Sequence, residues 1–407
     1  MSQKILIIGI VWPEPKSSAA GTRMLQLLQF LKSYDYEITF CSAAMRSDYS
    51  LNFYELNIAT QQIELNSSSF DDYIKSQNPD IVIFDRFMIE EQYGWRVAEN
   101  CPDALRILDT EDLHCLRLAR QVAYKKGTEF ELDSLLLQDV AKREMASILR
   151  CDLSLIISEF EMQVLQNVFN ISEKLLHYIP IFAEKSTGVI ASFEERNNFL
   201  FIGNYLHEPN KQAALLLKKE IWPLIRKQLP EAKIQIYGAY ATQEILQLNN
   251  IKEGFLVKCR AQDANEVMVN SRVLLAPMPF GAGLKGKLLE SMQNGTPSIT
   301  TNIGAEGISN NANWNGFVTD DYNEFANAAV RLYSDKEDWN SAQEKGFKIL
   351  TNRFDKSLFE DELQNRIVEL QKNLKAHRKQ NFFGALLQHH TLTSSKYLSK
   401  WIEAKNK

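Results

Sequence analysis

Within ten residues, Gly281, Gly283 and Gly286 alternate with Lys285 and Lys287, and Glu290 follows. The apolar run Val273–Ala276 predicts a strand ending just before this loop, and Leu288, Leu289 and Met292 predict a helix starting near Gly286. A helix start exposes free N–H groups and a partial positive charge, so a glycine loop leading into it is suited to an anion. Lysines in a first turn oppose the helix dipole unless an anion compensates them, which directs Lys285 and Lys287 toward a bound phosphate. Glu290, three residues after Lys287 on the same helical face, can accept a hydrogen bond from a ribose hydroxyl. The same spacing also allows an ordinary glycine turn with a Lys287–Glu290 surface pair worth a few tenths of a kcal/mol. The residues alone leave both readings open.

Two other places carry candidate chemistry. In Asp109-Thr-Glu-Asp-Leu-His114, after a predicted strand at Arg106–Leu108, the carboxylates of Asp109 and Asp112 can fix the tautomer of His114 and raise its pKa; a structural histidine is the alternative. Gly21 and Arg23 open a predicted helix running to Ser33, where a glycine permits close approach of a substrate. Arg23 either meets that substrate or is a solvated helix cation. No G-x-G-x-x-G follows the first strand and no G-x-x-x-x-G-K-[ST] occurs, which argues against a nicotinamide dehydrogenase and a P-loop ATPase.

The elements that must position these residues follow from the rest of the chain. The 407 residues are 45% hydrophobic and 24% charged, with a net charge of −5, a globular composition that excludes disorder and collagen-like repeats. Short apolar runs alternate with helical patterns: Ile5–Val11, Glu37–Cys41, Asp80–Phe84 and Leu153–Ile157 in the first half, Phe199–Gly203, Lys233–Tyr237, Val273–Ala276 and Ser298–Thr301 in the second. This grammar predicts α/β layering with two doubly wound, Rossmann-like domains facing a central cleft. Longer helices are expected at Glu131–Leu149 and at Asn210–Gln228, the latter capped by Asn210. The boundaries expected are 1–184 for the first domain, 185–197 for a polar linker, 198–370 for the second domain and 371–407 for a tail. Five scattered cysteines without a C-x-x-C pair fit a reducing cytoplasm rather than a disulfide framework or zinc site. The short apolar run after Met1 reads as a buried strand rather than a signal peptide, and no apolar stretch reaches about 18 residues.

The run from Phe280 to Gly307 resembles the donor-site signature of family 4 glycosyltransferases of GT-B fold, in the branch whose motif is G-x-G-x-K-x-K-x-L-E. Phe201-Ile-Gly203, Pro209-Asn210, Pro223 and Ile236-Tyr-Gly238 are similar to the first βαβ unit of that family's donor domain. Gly21-Thr-Arg23 is similar to its first loop, and Asp109–His114 resembles its D-x-x-D-L-H segment; most of residues 1–355 is covered. The resemblance implies a retaining transferase that takes a sugar from a nucleotide diphosphate sugar and needs no cofactor or essential metal. The absence of any Asp-x-Asp pair is consistent with that. By motif position Glu290 would contact the ribose, Lys285 and Lys287 the leaving diphosphate, and Gly203, Asn204, Gly281 and Gly283 the donor. His114 would approach the transferred sugar, and Gly21 and Arg23 the acceptor, a glycan or a lipid-linked saccharide in bacterial surface polysaccharide synthesis. The chain departs from the wider family at Ala282, where a second glutamate is expected, and at Asn204 and Pro209, where an Arg and a Lys are expected. Those departures keep open a sugar-nucleotide-binding protein without turnover, and a GT-B sugar-nucleotide epimerase is a competing enzyme reading.

Charge is unevenly spread. Residues 371–407 hold eight Lys and Arg against Glu403 alone, a net of +7, which leaves −12 for residues 1–370. The acidic body argues against nucleic acid as a partner. The tail reads as an amphipathic helix returning to the first domain, with Phe382, Phe383, Leu386 and Leu387 packed and the cations available to an anionic membrane surface. The expected location is cytoplasmic, at the inner face of the cytoplasmic membrane.

Overall fold

A computed structural model describes residues 2–188, 190–309 and 313–406, with only the backbone described at 390–393. The linker residue Val189 and the tail residue Lys407 lie outside the described residues. Among the described residues the first sheet has seven strands: β1 (Lys4–Gly9), β2 (Glu37–Ser42), β3 (Ala59–Gln62), β4 (Ile81–Asp85), β5 (Leu105–Asp109), β6 (Leu153–Ile156) and β7 (Leu176–Tyr178). Their order is β3-β2-β1-β4-β5-β6-β7. The second has six: β8 (Asn197–Ile202), β9 (Ile234–Tyr237), β10 (Phe255–Cys259), β11 (Ser271–Ala276), β12 (Ser298–Thr300) and β13 (Gly316–Val318), in the order β10-β9-β8-β11-β12-β13. All the strand pairs are parallel. Central strands such as Ile81–Asp85 are buried at every position, as a sheet covered on both faces requires. Each sheet order reverses once, at β1/β4 and at β8/β11, and ligands of such sheets bind beyond the carboxyl ends of the strands at that reversal.

Several expected elements differ in detail. The predicted Glu131–Leu149 helix is a 3-10 turn at Leu132–Leu137, an extended Gln138 and a helix at Asp139–Arg150. The break lets Leu135 enter the core while Leu136 and Leu137 stay exposed. The predicted Asn210–Gln228 helix begins at Glu208, with His207 at the cap and Pro209 in the first turn, and passes through a π turn at Leu217–Ile221 before Trp222–Gln228. Asn210 is therefore inside the helix rather than its cap. The polar linker ends in Arg196, which is fully buried. Its guanidinium donates to Asn294 O, Thr296 Oγ1 and the carbonyls of Met268 and Ser271. This places a cation at the C-terminal end of the Gly286–Gln293 helix, where the dipole favours one.

Beyond residue 359, Leu363, Ile367 and Leu370 of the Glu360–Gln380 helix share a core with Ile5, Ile7 and Leu153 of the first domain. Arg378 donates to Asp152 and to the carbonyls of Pro102 and Ala104. The following helix, Phe382–Asn406, lies against the helices Phe87–Asn100 and Asp139–Arg150. Only part of its expected packing occurs. Leu387 is partly buried, whereas Phe382, Phe383 and Leu386 are exposed.

Candidate active site

Three helix starts converge at the carboxyl ends of the central strands: Ala19–Ser33 after β1, Glu208–Leu216 after β8 and Gly286–Gln293 after β11. A Cβ added at Gly286 would lie 2.9 Å from Ala19 Cβ, so two of these positive helix ends meet across the domain boundary. Glycine at 286 is what permits that approach.

Lys287 projects from the first turn of the Gly286–Gln293 helix. Its Nζ donates to Asn210 Oδ1 at 2.5 Å and lies 4.6 Å from the centroid of the Phe201 ring. Among the described residues no salt bridge joins it to Glu290, so the simple surface pair does not form. Burial lowers its pKa to about 7, against the opposing effect of Glu290. Glu290 is pushed above the usual carboxylate range by burial, with Lys287 pulling it back. A largely buried ammonium with an amide oxygen, the Met278 thioether at 3.9 Å and a ring face against it is short of negative charge, which is the requirement of a phosphate subsite. Gly203 belongs to the same arrangement: a Cβ there would meet Asn210 Cγ at 2.7 Å and Lys287 Nζ at 3.0 Å.

The glycine loop is committed differently from the expectation. Gly283, at φ +61°, donates its N–H to Glu161 Oε1 at 2.8 Å, and a Cβ there would lie 3.0 Å from Asp112 Cβ and Ile157 Cδ1. Gly281 O accepts from Arg120 Nη1 at 2.8 Å. Arg120 also holds Glu306 with two bonds of 2.8 and 2.7 Å. The loop thus docks the second domain on the first. Lys285 turns back onto its own loop, donating to Gly283 O at 2.9 Å, and burial lowers its pKa to about 8. Of the two lysines, Lys287 is the one left without a backbone partner.

Asn204 commits its side chain to the protein itself, accepting from Leu206 N at 2.8 Å and donating across the domain boundary to Ser17 O at 3.3 Å. Two expectations for the first helix are corrected. A Cβ on Gly21 would run into the backbone of Glu14 at 2.3 Å, so the glycine serves the chain's own loop. Arg23 is neither solvated nor presented to a substrate. It is 4% exposed, pairs with Asp109 at 3.0 Å and donates to the carbonyls of Ile179 and Pro180.

His114 stands at the start of the His114–Lys126 helix. Its Nδ1 is 3.3 Å from Asp112 Oδ1 and 3.7 Å from Glu144 Oε1, and its ring meets Phe87 edge-on at 5.4 Å. Burial alone would raise the Asp112 carboxyl, but Arg117, bonded at 2.6 Å, holds it well below the usual range. Glu161, missed in the sequence, bridges Leu113 N and Gly283 N through one oxygen while the other has no partner. Burial, helped by the Asp112 charge, raises its pKa to about 8. His207, also missed, is lowered by burial to about 4 and faces the Asp112 charge. Neither Glu161 nor His207 lies in a recognisable motif, and Arg120 is one of several cations on its helix. Among the described residues, no group of three His, Cys, Asp or Glu side chains is placed to hold a metal.

Residues 196–335 match the family model described as glycosyl transferases group 1. HepE of Anabaena in complex with UDP and glucose superposes with a TM-score of 0.66 at 13% identity, covering 90% of this chain and 100% of that one. TarM of S. aureus, in complex with Fondaparinux, alpha-GlcNAc-glycerol and UDP, gives 0.69 at 9% identity over 91% and 99%. The fold is GT-B. Sucrose-phosphate synthase of Thermosynechococcus elongatus shares the GT-B fold at a TM-score of 0.63, 14% identity and 90% and 99% coverage. In sequence, 121 residues are 27% identical to an uncharacterized 44.6 kDa protein in the cps region of Klebsiella pneumoniae; the match spans 28% of this chain and 31% of that protein.

Proposed function

We propose that this protein is a glycosyltransferase that moves a sugar from a nucleotide diphosphate sugar to a hydroxyl of a glycan or lipid-linked acceptor. The observation that carries the reading is Lys287, an ammonium short of counter-charge on the first turn of a helix at the strand-order reversal of a GT-B fold. In this reading Lys287 and the helix N–H groups take the diphosphate and Glu290 takes a ribose hydroxyl. Gly203 leaves room for the donor, while Gly281, Gly283 and Lys285 shape the loop above it. Stabilising the charge that develops on the leaving diphosphate is the main electrostatic task of such a step. His114, steadied by Asp112, binds the sugar from the other domain.

The finer reading is front-face transfer with retention and without a metal. The acceptor oxygen forms its bond to the anomeric carbon as the carbon–oxygen bond to the diphosphate breaks, and the acceptor proton passes to a donor phosphate oxygen. A relative encoded in a cps region supports a role in surface polysaccharide synthesis. Ala282 and the Asn204 side chain, already committed to Leu206 N and Ser17 O, favour a second reading, a sugar-nucleotide-binding protein without turnover. The test is to incubate the protein with a panel of nucleotide sugars, with and without lipid-linked acceptors, and follow nucleoside diphosphate release and donor isomerisation. Acceptor-dependent release supports transfer. Isomerised donor would mean an epimerase, and binding without release the second reading.

A further inference from the structure

The Phe382–Asn406 helix has two faces of different fate. One is fastened to the first domain: Ser399 Oγ accepts from Arg96 at 3.0 Å, Lys396 pairs with Glu99 at 2.7 Å, and Ser68 donates to Glu403 at 2.6 Å. Gly384 lies so close to Leu149 O that a Cβ would be 2.1 Å from it. The opposite face carries large apolar side chains in water. Phe382 is 70% exposed, Phe383 68%, Tyr397 64% and Trp401 60%, with Leu386 at 42%. At 3.6 residues per turn these five fall within an arc of about 100°, as two apolar clusters on one side of the helix, 382–386 and 397–401, with Leu398, 58% exposed, just outside the arc. Lys400 sits at one edge of that arc and Lys405, 5.2 Å from the Trp401 ring, just beyond the other. Among the described residues, Lys372, Lys375, Lys379 and Lys400 are exposed and have no carboxylate partner.

We infer that this face is a docking surface for an anionic phospholipid bilayer, with the rings at headgroup depth and the lysines against the phosphates. The helix is held along its other face, so the rings are presented without being needed for the fold. Rings bordered by unpaired lysines match the interfacial region of an anionic leaflet. A second copy would bring cationic edge onto cationic edge in a two-fold contact, and the −12 body would be repelled by the same bilayer everywhere else. No helix among the described residues is long and apolar enough to cross a membrane, so contact is with the surface. The inference does not depend on the transfer reaction.

The experiment is flotation of the full chain with vesicles of phosphatidylcholine alone and with added phosphatidylglycerol, at low and high salt, alongside Trp emission. Binding is expected only with phosphatidylglycerol, weakening with salt and with a blue shift. The combined variant Phe382→Gln, Phe383→Gln, Trp401→Gln is expected to lose at least tenfold in partition with an unchanged thermal melt. Lys400→Glu with Lys405→Glu should remove the lipid preference. Absence of binding, equal binding to both vesicles, or wild-type binding by the combined variant would overturn the inference. So would a dimer in sedimentation velocity that the combined variant dissociates.

Discussion

Lys287→Met should stabilise the free protein and weaken its hold on a nucleoside diphosphate, two effects of opposite sign from one atom. The ammonium's pKa falls from 10.5 to about 7 because burial removes water that Asn210 and the Phe201 ring do not replace. At about 1.4 kcal/mol per pKa unit the full shift is an upper bound of about 5 kcal/mol. Partial exposure of the side chain reduces it to about 1–3 kcal/mol. Between pH 7 and 10.5 the unfolded chain binds more protons than the folded one at this site, so its contribution makes stability rise with pH across that window. Met keeps the length and removes the charge, so the variant should gain most at or below pH 7 and converge on wild type above pH 10. With UDP as the probe, loss of a charge-assisted contact worth about 1.5–3 kcal/mol should weaken binding about 10- to 150-fold. Urea denaturation of both proteins from pH 6 to 10, with and without UDP, measures both effects. A variant less stable than wild type at pH 6.5 without ligand, or one that binds UDP equally well, would refute the reasoning.

Three further outcomes are expected. Glu161→Gln keeps an oxygen for Leu113 N and Gly283 N but cannot ionise. Since the raised pKa of about 8 makes native stability fall as pH rises from about 4.5 to 8, the variant's melting temperature should be flatter across that range. Arg120→Ala leaves Glu306 and Gly281 O without their shared partner, costing about 2–4 kcal/mol in denaturant and loosening the domains, read as a larger radius of gyration by small-angle scattering. Gly203→Ala places a methyl at 3.0 Å from Lys287 Nζ and should reduce UDP affinity at least tenfold in calorimetry, while circular dichroism stays that of the wild type.

The alternation of apolar runs made both sheets legible at their centres, where Ile81–Phe84 of β4 and Val273–Ala276 of β11 are buried on both faces and read as uninterrupted apolar stretches. It was silent on β3, whose Ala59-Thr-Gln-Gln62 is exposed throughout and is a strand only because β2 offers it an edge. The helix at Phe87–Asn100 lacks a clean apolar stripe because it buries Glu90 and Arg96 beside its apolar residues, each matched by a partner elsewhere in the chain. The burial of Arg23 has the same origin, a partner distant in sequence. Its partner Asp109 was itself singled out as a candidate, yet nothing in the spacing of residues 86 positions apart says that they meet.

What the sequence determined by itself was the frame: parallel α/β layering in two units, a glycine loop before a helix start, and two lysines in its first turn, where the helix dipole disfavours them. These follow from local rules of period, turn residues and helix dipoles that operate within about ten residues. Tertiary structure alone decided which of those lysines is short of charge, since Lys285 folds back to Gly283 O whereas Lys287 is largely withdrawn from water against Phe201 and Asn210. It also decided that the glycine loop meets Glu161 and Arg120 across the domain boundary, and that the rings of Phe382, Phe383 and Trp401 stay in water. Desolvation and pairing depend on atoms brought together from distant parts of the chain, and no local pattern carries that information.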